Sequence, residues 1–260
     1  MTVALIALLA SLGALGGFAA GLLGFGGGVV MFPLLLYIPP LLGFTDLDAK
    51  TVAAVVVAQV FFSTAVAGAA HFRSGRVHRR LTLVAGLTSA GGAFLGGVAS
   101  PWVLNRVLLF LFGSITLLVM TMMALPAPAQ SQDNRSMEQV RLPTLTLSIF
   151  SLLTGGITGL LGSGNFIFPP LLIYIFKVPT RIAIGSSPII ALLNSSAGFL
   201  GKLLTDQVPL GLTVVVVFGA GLGAIGGEWV HRRLSSRTLR RIYAGLVTVI
   251  AFKVWLTLLA

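Results

Sequence analysis

The sequence has no cysteine among its 260 residues and only six aspartates and glutamates. Without cysteine, disulfides, thiol redox chemistry and cysteine metal sites are excluded. The three histidines form no metal motif and lie in basic loops, where we expect solvated or lipid-facing side chains. No carboxylate lies convincingly within an apolar run, and no serine–histidine pair or paired carboxylates occur there. We therefore predict that the protein is not an enzyme and binds no metal or cofactor.

The sequence instead contains long runs of apolar residues. Hydrophobic residues make up 56% of the chain and charged residues 9%, and the mean hydropathy is +1.02. Apolar runs recur from end to end, and they reach the about 20 residues that a helix needs to cross the hydrocarbon core of a bilayer. The sequence thus predicts an all-α integral membrane protein. Its net charge of +11 then has its first explanation in membrane topology and not in a nucleic-acid partner.

Two glycine-rich stretches indicate an internal duplication. The segment GLLGFGGGVVMFPLLLY at residues 21–37 returns as GLLGSGNFIFPPLLIY at residues 159–174. In each copy a helix rich in small residues follows later, GGAFLGG at 91–97 and GAGLGAIGG at 219–227. Helices of this composition are what close packing in lipid requires.

The duplication divides the chain into two transmembrane repeats. We predict the first repeat at residues 1–125 and the second at residues 142–260. The stretch 126–141 between them is polar and bears prolines, so we expect it to be a cytoplasmic linker. Each repeat is predicted to be a hairpin of broken helices followed by three transmembrane helices.

Lysines and arginines orient the two repeats, because cytoplasmic loops carry an excess of both. The loop at 71–80 holds four arginines, whereas the corresponding loop at 202–208 holds one lysine. The next pair of loops reverses this bias, with one arginine at 100–107 and five at 231–241. The repeats are therefore predicted to have inverted topology. In this arrangement 13 of the 17 basic residues face the cytoplasm and both termini are extracytoplasmic.

Inside each hairpin, glycines interrupt an otherwise apolar helix. Backbone that is not helical is tolerated at membrane depth only where protein or a water-filled cavity satisfies it. Glycine permits positive φ angles and leaves N–H groups uncovered, and the helix that restarts presents the positive end of its dipole. Such ends bind anions, and transporters built from inverted repeats place their substrate at broken helices. The simpler alternative, that the glycines only permit tight helix crossing, stays open.

Polar residues in the following helices point to the same place. The second repeat carries two serines and an asparagine within an apolar helix, and the first repeat carries a glutamine. Hydroxyls and amides can coordinate an oxyanion without the desolvation cost of a buried lysine. The alternative is that each serine bonds back to a carbonyl of its own helix. The predicted substrate-binding residues are Gly24, Gly26, Gly27, Gly28, Gln59, Gly162, Ser163, Gly164, Asn165, Ser186, Ser187 and Asn194.

These motifs resemble the sulfite exporter TauE/SafE family of bacterial membrane transporters. The resemblance rests on GFGGGVVMFPLLL, on AIGSSP at 183–188 and on the basic SSRTLRR at 235–241, and it extends over roughly residues 10–258. Two departures lie at the predicted site. The second glycine motif reads GSGNF, and the first-repeat counterpart of the serine element reads AAVVV.

The resemblance implies a secondary transporter that exports sulfite, sulfoacetate or similar small sulfur-containing or organic anions across the bacterial inner membrane. An anion channel or an anion importer of the same fold is the alternative. The expected partners are a small anionic substrate and membrane lipid, with no nucleic acid. The sequence leaves the oligomeric state open.

Overall fold

The structure is a computed structural model that describes residues 2–23, 26–44, 46–72, 77–125, 143–231, 233–234 and 236–259. Within these ranges the chain is helical and contains no strand. The helices are α1 (Val3–Leu23), α2 (Gly28–Leu41), α3 (Ala49–Phe72), α4 (Arg79–Ala99), α5 (Asn105–Ala124), α6 (Thr144–Leu161), α7 (Gly164–Ile175), α8 (Thr180–Leu203), α9 (Leu210–His231) and α10 (Ser236–Leu259).

Eight of these helices are long and apolar enough to cross a membrane, namely all except α2 and α7. The two exceptions are apolar but shorter, and each follows a long helix directly, as the predicted hairpins require. The prediction of an all-α membrane protein is therefore confirmed. The predicted linker at 126–141 lies outside the described residues, and the boundaries of the two repeats stay a prediction.

Glycines set the closest helix contacts, which recur in the same register in both halves of the chain. Helix α1 packs along α9, and α6 packs along α4, with glycines of α1 and α6 lying directly against backbone of the facing helix. Two contacts in the first set are Gly17 on Ala220 and Gly21 on Ala224, and their counterparts are Gly155 on Ser89 and Gly159 on Ala93.

The register of these contacts supports the duplication. Each α6 glycine lies 138 positions after its α1 counterpart, and each α9 partner lies 131 positions after its α4 counterpart. The first helix of either predicted repeat thus packs on the fourth helix of the other. This exchange is compatible with two inverted repeats, and it means that neither repeat completes its own packing alone.

A polar cluster fixes the start of α3. The Oδ1 atom of Asp48 accepts a hydrogen bond from the Thr51 backbone N–H at 3.1 Å, which makes Asp48 the N-cap of this helix. The amide of Asn105, at the start of α5, donates to the other carboxylate oxygen of Asp48 at 3.3 Å and accepts from the Lys50 N–H at 3.2 Å. Asp48 therefore joins the first turns of two helices.

We expect Asp48→Ala to destabilise the protein by about 1 kcal/mol, the usual cost of losing an N-cap, and Asp48→Asn to cost less. Burial acts to raise the pKa of Asp48, but hydrogen bonds from Thr51 and Asn105 and the charge of Lys50 outweigh it, so the pKa lies below the ordinary 3.8. Because the folded-state pKa is the lower one, the carboxylate stabilises the fold above about pH 3.8 and loses this effect as the pH falls through its folded value.

The measurement is the melting temperature of the three proteins in detergent between pH 7 and pH 3. The advantage of the wild type over Asp48→Asn should shrink as the medium becomes more acidic. An advantage that grows below pH 4 would contradict the charged cap.

Candidate functional site

The first helix break lies between α1 and α2. Gly26 and Gly27 have φ angles of 94° and 65°, in the left-handed region that favours glycine. A Cβ atom on Gly27 would also meet the backbone of α1, at the carbonyl oxygen of Gly16 and the nitrogen of Ala20. The Gly27 carbonyl accepts hydrogen bonds from the N–H groups of residues 30 and 31 and so opens α2. Gly24 lies outside the described residues.

The second break lies between α6 and α7. Gly162 ends α6 with a φ angle of 68°, and its N–H donates to the Thr158 carbonyl at 2.7 Å. Helix α7 then starts as a 3-10 turn at Gly164–Ile167 and ends as a π-helical turn at Leu171–Ile175. A Cβ on Gly162 would fall on the carbonyl oxygen of Ala53, so α3 packs on this break as well.

The two breaks are in direct contact. A Cβ atom on Gly28 would lie only 3.0 Å from Cα and 3.1 Å from Cβ of Ser163, and 3.0 Å from Cγ2 of Val60 on α3. The side-chain amide of Gln59 donates to the Gly26 carbonyl at 3.2 Å. Predicted site residues from both halves of the chain, separated by more than a hundred positions, therefore meet around one point on α3.

Other predicted residues are engaged in helix packing. The Asn194 amide donates to the Ser89 carbonyl at 3.3 Å and accepts from the Thr158 hydroxyl at 2.9 Å, so it joins α8 to α4 and α6. A Cβ on Gly164 would press on Thr158. Because Thr158 also donates to Asn194, a single residue separates Asn194 from the second break. Thr158 was not singled out from the sequence, although a threonine four residues before a helix-ending glycine is a usable signal.

The two serines of the AIGSSP stretch differ in their contacts. The Ser187 hydroxyl donates to the Ala183 carbonyl of its own helix at 2.7 Å, which is the alternative that the sequence left open. The Ser186 hydroxyl accepts from the backbone N–H of His78 at 3.2 Å, where the chain enters α4.

Three buried polar atoms near the breaks have no hydrogen-bond partner among the residues that the structure describes. They are Oε1 of Gln59, Oγ of Ser163 and Oδ1 of Asn165, on side chains that are 0%, 1% and 3% exposed. Buried polar atoms are nearly always paired, because leaving one unpaired costs the free energy of its desolvation. Gln59 contacts the first break through Gly26, and Ser163 and Asn165 lie in the second, so these three atoms are candidate ligand-binding groups.

A cavity of about 60 Å³ adjoins the first break. Leu23 at the end of α1, Pro169 and Pro170 in α7, Ser187 in α8 and His231 at the end of α9 line part of it. Its walls are mostly apolar, and they come from helix ends on one side of the molecule. Ser187 is the predicted site residue that this cavity reaches.

A buried lysine at the end of α8 forms hydrogen bonds to three other segments of the chain. Lys202 at the end of α8 is fully buried, and its ammonium group donates to Ser100 Oγ at 2.6 Å, to the Leu160 carbonyl at 3.2 Å and to Gln207 Oε1 at 3.3 Å. Leu160 precedes the second break by two residues. From the sequence, Lys202 is only a topology marker, and these three hydrogen bonds were not predicted.

The histidines are not simply solvated, which corrects the expectation for two of the three. The Nδ1 atom of His78 accepts from the Leu81 N–H at 3.1 Å and caps α4. The Nδ1 atom of His231 lies 2.7 Å from the Leu22 carbonyl, one residue before α1 ends. The side chain of His71 lies outside the described part. Among the residues that the structure describes, no cluster of potential metal ligands occurs.

Comparison with known proteins identifies relatives along nearly the whole chain. A family model described as "Sulfite exporter TauE/SafE" matches residues 9–254. A protein of Xylella fastidiosa (strain Temecula1) named "Probable membrane transporter protein" is 30% identical over 262 residues, covering 95% of each chain. The "Probable membrane transporter protein YunE" of Bacillus subtilis (strain 168) is 22% identical over 89% of this chain and 90% of its own.

A further relative is larger. The "Probable membrane transporter protein MamO" of Magnetospirillum gryphiswaldense is 32% identical over 119 residues, which cover 42% of this chain and 19% of that protein. No solved structure matches the chain significantly.

Proposed function

Because the chain belongs to the sulfite exporter TauE/SafE family of membrane transporters, we propose that it exports small sulfur-containing or organic anions, such as sulfite or sulfoacetate, across the bacterial inner membrane. The substrate binds where the two helix breaks meet. The observation that supports this proposal is the contact of Gly28 with Ser163, which brings both glycine motifs to one point.

The chemistry of this point suits an anion. The first turn of α2 leaves backbone N–H groups and the positive end of a helix dipole at Gly28, and the buried hydroxyl of Ser163 can donate a further hydrogen bond. Export of an anion is also favoured by the usual inside-negative potential, by about 2.3 kcal/mol per charge per 100 mV. Outward transport then needs no buried carboxylate relay.

The cavity and the buried hydrogen bonds of Lys202 support alternating access. In the predicted topology, the cavity beside His231 faces the cytoplasm, and the cluster around Lys202 faces the outside. The cavity reaches Ser187 but none of the described break residues, so a cytoplasmic path would have to extend from it to the breaks. Export requires the contacts of Lys202 with Ser100 and Gln207 to open while the cavity closes.

We expect Ser163→Ala to weaken anion binding at least about tenfold, because it removes a buried hydroxyl that would donate to the substrate. The Ser163 hydroxyl has no partner among the described residues, so the substitution should leave the melting temperature of the free protein unchanged or slightly raised. The matched control is Ser195→Ala, whose buried hydroxyl donates to the Ala191 carbonyl of its own helix.

The experiment is the shift in melting temperature of the purified proteins with sulfite, thiosulfate, sulfoacetate, sulfate and acetate. A shift for a sulfur oxyanion in the wild type and Ser195→Ala that is lost in Ser163→Ala supports the site. If no anion shifts the wild type, or if both variants respond alike, the site is wrong. In a separate experiment with proteoliposomes, saturable counterflow would distinguish a transporter from a channel.

A further inference from the structure

The amide of Gln59 has a fixed orientation. Its Nε2 atom faces the Gly26 carbonyl at 3.2 Å and Ser63 Oγ at 2.9 Å. A backbone carbonyl can only accept a hydrogen bond, so the group that faces it must be the NH₂ and not the oxygen. An amide flip would place two acceptors against each other, and the geometry excludes it.

Gln59 consequently offers a ligand one acceptor and no donor. An NH₂ group carries two hydrogens, and the two acceptors at Gly26 and Ser63 use both. Only Oε1 is left, and it has no partner in the part of the chain that the structure describes, although the side chain is fully buried. The Oδ1 atom of Asn165 is a second unpartnered oxygen close to the other break.

The two sides of this site therefore have opposite requirements. The N–H groups at the start of α2 suit the oxygens of an anion, whereas Gln59 Oε1 requires a hydrogen-bond donor. A fully deprotonated anion without any O–H or N–H group leaves that oxygen buried and unpaired. A site with a buried polar group discriminates strongly against ligands that fail to pair it.

Resting on the proposed anion site, we propose that the substrate is an anion that also carries a hydrogen-bond donor, either on the charged head itself or on a hydroxyl or amino group beside it. Gln59 Oε1 accepts this donor while the α2 N-terminus binds the anionic oxygens. Gln59 is thus a specificity-determining residue. It selects against anions of equal charge and size that carry no donor, so of the two anions named above it favours hydrogensulfite, which carries a donor, over the sulfoacetate dianion, which does not.

Two pairs of anions matched in shape and charge test this selection. The 2-hydroxyethanesulfonate ion and the 1-propanesulfonate ion differ by a hydroxyl in place of a methyl group, and hydrogencarbonate and nitrate are both small planar monoanions. We expect the donor-bearing member of at least one pair to bind the wild type about tenfold or more tightly, by isothermal titration of the purified full-length protein.

The variant is Gln59→Met, which keeps an unbranched side chain of similar length and removes the acceptor together with the NH₂ group that bonds Gly26 and Ser63. Its ratio of dissociation constants within a pair should collapse toward one, whereas Ser195→Ala should keep the wild-type ratio. Since the ratio compares two ligands on the same protein, partial loss of folded protein does not affect it. Should Gln59→Met fail to fold, the ratio in the wild type decides by itself.

The outcomes separate this proposal from the one it rests on. Equal affinity within both pairs, or a preference that persists in Gln59→Met, overturns donor selection but leaves anion transport in place. Binding of none of the four anions, together with no response to the sulfur oxyanions, overturns the anion site itself.

Discussion

Gly159→Ala is expected to destabilise the protein by about 3 kcal/mol, the upper end of the usual cost of overpacking, or more. The added Cβ would fall on the carbonyl oxygen of Ala93, with the Cα and C atoms of that residue at 2.7 and 2.8 Å. All three atoms are backbone, so no side-chain rotation relieves the clash, and α4 and α6 must move apart along their length. The loss should appear as a lower melting temperature and a lower yield of monodisperse protein in detergent.

Two further glycines sharpen this prediction. Gly21→Ala repeats the same clash at the equivalent place of the other helix pair, against the carbonyl of Ala224, and should cost a similar amount. Gly221→Ala is the matched control, because a Cβ there has no neighbour within 4 Å and alanine favours helix. If all three variants melt with the wild type, glycine does not determine the spacing of these helices.

Lys202→Ala is expected to cost about 3 kcal/mol or more, because it removes a buried ammonium group and leaves its acceptors unpaired. The substitution also empties the space of a long, fully buried side chain. Lys202→Met keeps most of that volume, so its cost isolates the hydrogen bonds to Ser100, Leu160 and Gln207. We expect its stability to lie between that of the wild type and that of Lys202→Ala.

The control is Lys253→Ala. Lys253 is exposed, and its ammonium group lies 5.4 Å from the centre of the Tyr37 ring, a contact worth about 0.5–1 kcal/mol at exposed sites. The melting temperatures of the four proteins should therefore fall in the order wild type, Lys253→Ala, Lys202→Met and Lys202→Ala. A Lys202→Ala protein as stable as Lys253→Ala would mean that the buried lysine does not stabilise the fold.

The glycine motifs show how much of the site could be predicted from the sequence. Glycines at 26, 27 and 162 were recognisable as breaks because positive φ angles are cheap only for glycine, and all three have them. The 138-residue repeat also predicted that the two breaks are equivalent. The sequence assigned both breaks to one predicted site but did not predict that Gly28 touches Ser163, since that contact depends on how α3 packs on both breaks.

Several polar residues were recognised without their roles. Gln59, Ser187 and Asn194 were all selected as polar groups in apolar helices, and the structure gives each a different set of partners. A hydroxyl that bonds to its own helix, as in Ser187, is a local event that a sequence can suggest as an alternative. The contact of Asn194 with Ser89 spans 105 positions and has no local sign.

The sequence by itself determined the class of the protein, its long apolar helices, its duplication and the places where the helices break, since each follows from local composition and from residue-level conformational limits. Tertiary structure alone decided that Gly28 touches Ser163, that the NH₂ group of Gln59 faces the Gly26 carbonyl and leaves the amide oxygen without a partner among the described residues, and that Lys202 is buried. The physical reason is that the partners of these groups lie 33 positions away for Gln59 and 102 positions away for Lys202, and only packing of the helices brings such distant hydrogen-bonding groups together.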